Sequence, residues 1–142
     1  MERIWYDSYD EGVPKSIDYP DVPLFDFLDR SAESFPGNDA LIFMGRRIKY
    51  RELKESTDRF VASLAELGVE KGDRVALFLP NCPQYVISFY GTLKAGAIAV
   101  PNSPLLSEEE LLYQLRDSEA KVLVTLNLKV LYSKVERVIG EV

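Results

Sequence analysis

Val75-Ala76-Leu77-Phe78-Leu79 is an unbroken apolar run, with Lys71-Gly72-Asp73 before it and Pro80-Asn81 after it. A strand with one solvated face alternates apolar and polar residues. A run without alternation predicts a strand covered on both faces, as in a parallel sheet. Downstream, Pro83 to Ala95 reads as a helix, with proline in its first turn and Gly96 just past its end. Ala97-Ile98-Ala99-Val100 is the next strand, stopped by Pro101. Ser107-Glu108-Glu109-Glu110 has the form of a capping box and opens a helix that turns Leu111, Leu112 and Leu115 inward. Lys121 to Thr125 is a further strand, and Leu131 to Val142 a last helix. Strands and helices alternating at this spacing imply right-handed βαβ crossovers, hence an α/β fold with a doubly wound, mostly parallel sheet.

Upstream of the run, Leu53, Phe60, Val61, Leu64 and Leu67 form one face of a long helix that Gly68 ends. Its other face is charged and reads as solvated. Ala40-Leu41-Ile42-Phe43-Met44, Gly45-Arg46 and Arg47-Ile48-Lys49-Tyr50 read as a short N-terminal β-hairpin with glycine at the turn. Leu24, Phe25, Leu28, Ala32 and Phe35 lie at helical spacing before Pro36-Gly37. Residues 1–23 have prolines and no period, which predicts an extended N-terminal arm laid across the body. The division is therefore an arm over 1–23 and an α/β unit over 24–142.

A length of 142 residues suits one domain, and 46% hydrophobic residues are enough for a core. The net charge of −6 argues against a nucleic-acid partner, since phosphate binding needs clustered cations. No apolar run approaches the roughly 18–20 residues of a transmembrane span. The opening Met1-Glu2-Arg3-Ile4-Trp5-Tyr6-Asp7 lacks the features of a secretion signal, so a cytoplasmic location is expected. With no histidine and one cysteine, Cys82, there is no histidine-based nucleophile pair, internal disulfide or multi-cysteine zinc site.

Four segments, in order, resemble the adenylate-forming superfamily of acyl-CoA synthetases, peptide-synthetase adenylation domains and luciferases. They are Ile48-Lys49-Tyr50-Arg51-Glu52-Leu53, Gly68-Val69-Glu70-Lys71-Gly72-Asp73-Arg74-Val75-Ala76, Pro80-Asn81-Cys82-Pro83-Gln84, and Leu93-Lys94-Ala95-Gly96-Ala97 closing at Val100-Pro101. Within that superfamily the chain looks most like the AMP-forming long-chain fatty acyl-CoA ligases. That likeness lies in Trp5-Tyr6-Asp7, Gly12-Val13-Pro14, Ile17-Asp18-Tyr19-Pro20, Pro104-Leu105, Glu109-Glu110-Leu111 and Gln114-Leu115-Arg116-Asp117-Ser118. It departs at Ser103, where those ligases usually have Asn, and at Glu119, where they usually have Gly.

The resemblance implies an incomplete part of the large N-terminal domain of the acyl-CoA synthetase fold. It also implies a two-step reaction using ATP, Mg2+ and CoA, in which a fatty acid becomes acyl-AMP and then acyl-CoA. The family's Ser/Thr/Gly-rich phosphate loop ending in Pro-Lys-Gly is not in this sequence, nor is a Walker A or G-x-G-x-x-G motif. No catalytic, cofactor-binding or metal residue is therefore assigned. The chain alone is expected to be inactive and to bind none of these cofactors tightly, its partners being the remainder of the ligase and the fatty acid substrate. Two other function classes stay open: a non-catalytic binding or self-assembly module, forming a homo-oligomer through exposed apolar surface, and an autonomous nucleotide-binding domain.

Several segments have a plain reading beside a functional one. Leu93 to Ala97 resembles a phosphate loop but reads as a helix stop. Asn81 follows a strand's carboxyl end, where α/β sheets bind ligands, but reads as an N-cap. Cys82, beside a helix start, reads as packing, and Glu108-Glu109-Glu110 as a helix start. Phe78, Tyr85, Phe89 and Tyr90 read as core before they read as an acyl channel.

Overall fold

A computed structural model describes residues 3–142; Met1 and Glu2, with which the arm and the leader reading begin, lie outside the described residues. The elements are α1 (Leu24–Ser34), β1 (Asp39–Phe43), β2 (Arg46–Lys49), α2 (Tyr50–Glu66), β3 (Arg74–Phe78), α3 (Pro83–Lys94), β4 (Ile98–Asn102), α4 (Glu108–Ser118), β5 (Val122–Thr125) and α5 (Lys129–Val138). Short 3-10 turns cover Ile4–Ser8 and Ile139–Glu141. None of the described helices is long and apolar enough to cross a membrane.

The parallel sheet has the order β4-β3-β5, with β3 paired to both neighbours. Val75, Ala76, Leu77 and Phe78 are each 0% exposed, as an unbroken apolar run requires. Their side chains alternate between two cores. Val75 and Leu77 pack with Leu64, Val69, Ala97, Phe60, Tyr85 and Phe89 on the α2/α3 side. Ala76 and Phe78 pack with Leu111, Leu115, Leu131, Val135 and Val138 on the α4/α5 side. The chain therefore winds both ways from β3, with helices on both faces.

Three helices reach this sheet through the same device. After α2, α3 and α4, one residue turns left-handed: Gly68 (φ +75°), Gly96 (φ +77°) and Glu119 (φ +49°). Each stop makes the paired bonds of a Schellman motif. Gly68 N–H donates to Ala65 O and Val69 N–H to Leu64 O; Gly96 and Ala97 donate to Leu93 O and Thr92 O; Glu119 and Ala120 donate to Arg116 O and Leu115 O. Glycine takes this conformation without penalty, whereas an L side chain there costs about 1–2 kcal/mol. Arg74 lies against the third stop, its Nε donating to Ser118 O (2.8 Å) and its Nη2 to Glu119 O (3.0 Å) and Glu119 Oε2 (2.8 Å).

The hairpin forms as expected, one residue earlier than the sequence suggests. Met44 and Gly45, at φ +49° and +80°, make the turn, and Arg46 already belongs to β2. Tyr50 starts α2 rather than ending the hairpin, because the Lys49 N–H is taken by Glu52 Oε2 at 3.1 Å.

Four further expectations are corrected. Pro101 does not stop β4 but lies inside it, paired with Leu77. The Ile98 N–H donates to Asp73 O, so alternate residues direct their amides to β3 and position 101 faces outward, where proline loses nothing. Leu67 is exposed, because the Gly68 stop begins beside it. The α2 face read as solvated instead directs Lys54 and Asp58 toward α1 and α3. The arm does not lie on the body: from Arg3 to Asp21 every residue but half-buried Tyr6 is exposed. It packs on itself through the Trp5–Tyr6 and Tyr6–Tyr9 ring contacts (6.3 and 5.7 Å), having no continuous apolar stripe to bury.

Two substitutions test this packing by thermal and denaturant melts. Glu119→Gly relieves the left-handed strain and gives up only an ion pair at an exposed carboxylate, so stability is expected to rise by about 0.5–1 kcal/mol. Gly91→Ala places a Cβ 2.6 Å from Phe60 Cδ1 in the α2/α3 contact and is expected to cost about 1–3 kcal/mol. An unchanged melt for Gly91→Ala would mean the Phe60 ring moves aside freely.

Candidate functional site

The carboxyl end of a doubly wound sheet is where such folds bind ligands. Here Asn102, Phe78 and Thr125 end the three strands in register. Asn102 is buried, and its Nδ2 donates to Gln114 Oε1 at 2.5 Å. Asn102 Oδ1 and Thr125 Oγ1 are buried without a partner among the described residues. Lys134 closes the row: its ammonium lies 5.7 Å from the Phe78 ring centroid and donates to Leu106 O and, at 3.4 Å, to Pro104 O. This end thus offers a hydroxyl and an amide oxygen but no paired nucleophile and base. Sequence reading missed all three polar groups. The only signal for Asn102 was its place directly after Pro101, where the strand was expected to have stopped.

Of the residues singled out from the sequence, only Asn81, Cys82 and Tyr85 border one cavity. Asn81 is exposed, and the N-cap of α3 is Cys82, which makes no side-chain cap bond. Pro83 at the first helical position sets the start one residue later than an asparagine cap would need. Cys82 is buried against a cavity of about 210 Å3 between the hairpin and α3, lined also by Leu41, Phe43 and Tyr85. The four aromatics fall on both sides of the sheet. Phe78 lies in the α4/α5 core, while Tyr85 stacks on Phe89 at 6.0 Å in the α2/α3 core, and Tyr90 meets Phe89 edge-on at 5.9 Å. The acidic run is engaged too. The Arg137 guanidinium, 2.8 Å from Glu108, holds that carboxyl below its usual range, and the Ser107 backbone and hydroxyl do the same for Glu110 in the capping box.

The Leu93–Ala97 turn does not fit a triphosphate. Its Gly96 and Ala97 amides are spent on the helix stop. Lys94 Nζ donates to Asp29 Oδ1 and Asp58 Oδ1, both at 2.7 Å, and Lys54 Nζ reaches Asp58 Oδ2 at 2.7 Å and Asp29 Oδ1 at 3.9 Å. These four charges tie α1, α2 and α3 together. Burial pushes the Asp58 carboxyl up, but hydrogen bonds from Lys54 and Lys94, with their charges, bring it below its ordinary value. Burial likewise pushes Lys94 down, and Asp29 and Asp58 bring it above its own. No group of three or more His, Cys, Asp or Glu able to hold a metal ion occurs among the described residues.

Residues 28–141 match the family of AMP-binding enzymes. The chain is similar to the long-chain-fatty-acid–CoA ligase of Bacillus subtilis strain 168, at 41% identity over 127 residues, 89% of this chain and 23% of that relative. In fold it is similar to a Mycobacterium tuberculosis fatty acyl CoA synthetase, with a TM-score of 0.77 at 29% identity over 83% of this chain and 24% of that one. A benzoate CoA ligase from Burkholderia xenovorans LB400 gives a TM-score of 0.79 at 26% identity over 85% and 24%. The chain therefore spans under a quarter of the length of the curated relative it matches.

The charge network has a definite pH signature. A carboxyl held low in the fold contributes stability that is present above its unfolded value and lost as pH falls through the folded one. Lys94, held high, contributes below its unfolded value and loses that only as pH rises through the folded one. Between neutral pH and the acid side of the carboxylate range, Asp58→Asn is therefore expected to flatten the fall in thermal midpoint relative to the parent chain. Equal slopes in the two melting series would leave Asp58 without a stabilising role.

Proposed function

Because the chain belongs to the AMP-binding enzyme family, we propose that it forms the leading part of the large domain of an AMP-forming long-chain fatty acid–CoA ligase. The observation that carries this reading is the extended identity with the Bacillus subtilis ligase, which takes in nine-tenths of this sequence. Such a ligase joins a fatty acid to the α-phosphate of ATP, releasing pyrophosphate, and CoA then displaces AMP to give the acyl thioester. ATP, Mg2+ and CoA belong to that intact enzyme, and its setting is the cytoplasm.

The role of this stretch is architectural. Its left-handed helix stops spend their own amides, the α4 start is closed by the Ser107 capping box, and Lys94 and Lys54 are paired with carboxylates, so no residue here is assigned to bind or activate the phosphates. The chain supplies three parallel strands and a row of polar groups at their carboxyl ends. The rest of the ligase is the natural partner for the uncovered side of β5. There Phe60, Leu67, Val122, Val124 and Tyr132 line an open groove of about 330 Å3. Because the Lys121 N–H donates to Arg74 O, the amides of Val122 and Val124 face away from β3 toward that side.

The same groove supports a second reading, a non-catalytic module that associates with itself through this apolar face. Light scattering separates the two: a monomer that binds no apolar dye counts against self-assembly.

The catalytic reading is tested by ATP–pyrophosphate exchange with palmitate. The purified chain is expected to give none, and to gain activity when mixed with the remaining part of the Bacillus subtilis ligase. Exchange by the chain alone would overturn the architectural assignment.

A further inference from the structure

We infer that the N-terminal arm forms a cleft for a small, soluble phosphate monoester carrying a ring, gripped by Arg3 and Lys15. These are the only cations between residues 3 and 23, a stretch that also holds Asp7, Asp10, Glu11, Asp18 and Asp21. Among the described residues neither cation forms an ion pair with a carboxylate. They are gathered on aromatic faces instead. The Arg3 guanidinium carbon lies 5.7 Å from the Trp5 ring centroid and 6.0 Å from that of Tyr6, and Lys15 Nζ lies 5.4 Å from the same Tyr6 ring. At an exposed site a ring face holds a cation weakly and leaves its charge uncompensated.

Two like charges drawn to one ring repel each other, and an anion between them removes that cost. Arg3 and Lys15 line one cleft of about 380 Å3, together with Tyr9, Ser16, Ile17 and Tyr19. A guanidinium and an ammonium, both rich in donors, match a doubly charged group with three oxygens better than a single carboxylate. Ser16 and the two tyrosines add hydroxyls to the same lining. Tyr9, Ile17 and Tyr19 are 42%, 65% and 83% exposed and belong to neither core, so they form an apolar wall at the surface. That wall favours an ester with a ring over bare phosphate.

The surrounding charge narrows how an anion is held here. Carboxylates outnumber cations in the arm and the whole chain carries −6, so no general field draws anions in. Binding therefore depends on direct contact with Arg3 and Lys15. Every residue lining the cleft is exposed, which leaves it open to solutes. The cleft stands independently of the ligase reading, since it is built within the arm and takes no part in acyl activation.

Trp5 is the single tryptophan of the chain and lies against Arg3, so its emission reports on the cleft. The test titrates the chain with phenyl phosphate, inorganic phosphate and benzoate at about pH 7.5, where a phosphate monoester, with a second pKa of about 6, is largely a dianion. Phenyl phosphate is expected to give a saturating change. Inorganic phosphate and benzoate are each expected to bind about 10-fold more weakly, one lacking the ring and the other the second charge. Lys15→Gln is the decisive variant, because it leaves Arg3 and Trp5 in place, and it is expected to weaken phenyl phosphate about 10-fold. Lys129→Gln, at a cation on α5, is expected to change nothing. Line broadening of the ligand's phosphorus resonance repeats the titration without relying on Trp5. A response that never saturates, binding by Lys15→Gln equal to the parent's, or equal affinity for the three anions overturns the cleft.

Discussion

Strand β3 has to be covered above and below and hydrogen-bonded along both edges, and nearly everything else in the molecule answers that requirement. Its four central residues are wholly buried, and they send alternate side chains into two separate cores. Neither core is complete without helices delivered to the correct face. The path of the chain is therefore governed by how each helix is stopped and returned to the amino end of the sheet.

That return is made three times with one backbone device, and the amino end of the sheet is built to receive it. Helix C-termini gather there with their negative dipole ends. Arg74 and Lys121 answer them: the first binds the carbonyls of Ser118 and Glu119, the second Gly68 O at 2.6 Å and Asp73 at 2.7 Å. Two of the three stops use glycine. The third uses Glu119, at a position where the ligases that this chain resembles usually have glycine, and the same guanidinium that caps the carbonyls also holds its carboxylate. At the carboxyl end, by contrast, Asn102 Oδ1 and Thr125 Oγ1 are buried without a partner among the described residues.

Much of this was legible in the sequence because local chemistry and tertiary demand agree. The apolar run at Val75, the Ser107 capping box, proline at the start of α3 and glycine after α2 and α3 each act within a turn of the chain. What was not legible depends on distant neighbours. Pro101 is allowed in β4 only because its nitrogen faces away from β3, which no window around residue 101 reveals. Lys54 and Asp58 look solvated on a helical wheel, and only the approach of α1 and α3 turns them into a network. Asn81 has the right side chain for a cap, but Pro83 at the first helical position places the cap at Cys82. For the site, the family likeness pointed to chemistry held elsewhere. The polar row at Asn102 and Thr125 emerged only from the register of three strands far apart in sequence.

Pro101 also gives the sheet a handed sort of stickiness. Along β4 the outward-facing amide is missing at that position, so a stray strand meets a gap in the ladder. Along β5 the outward groups of Val122 and Val124 are intact. A particle with one receptive rim can zip to another of its kind, rim to rim, and is then spent. Filaments need two such rims on every subunit, so misassembly through this sheet terminates at pairs.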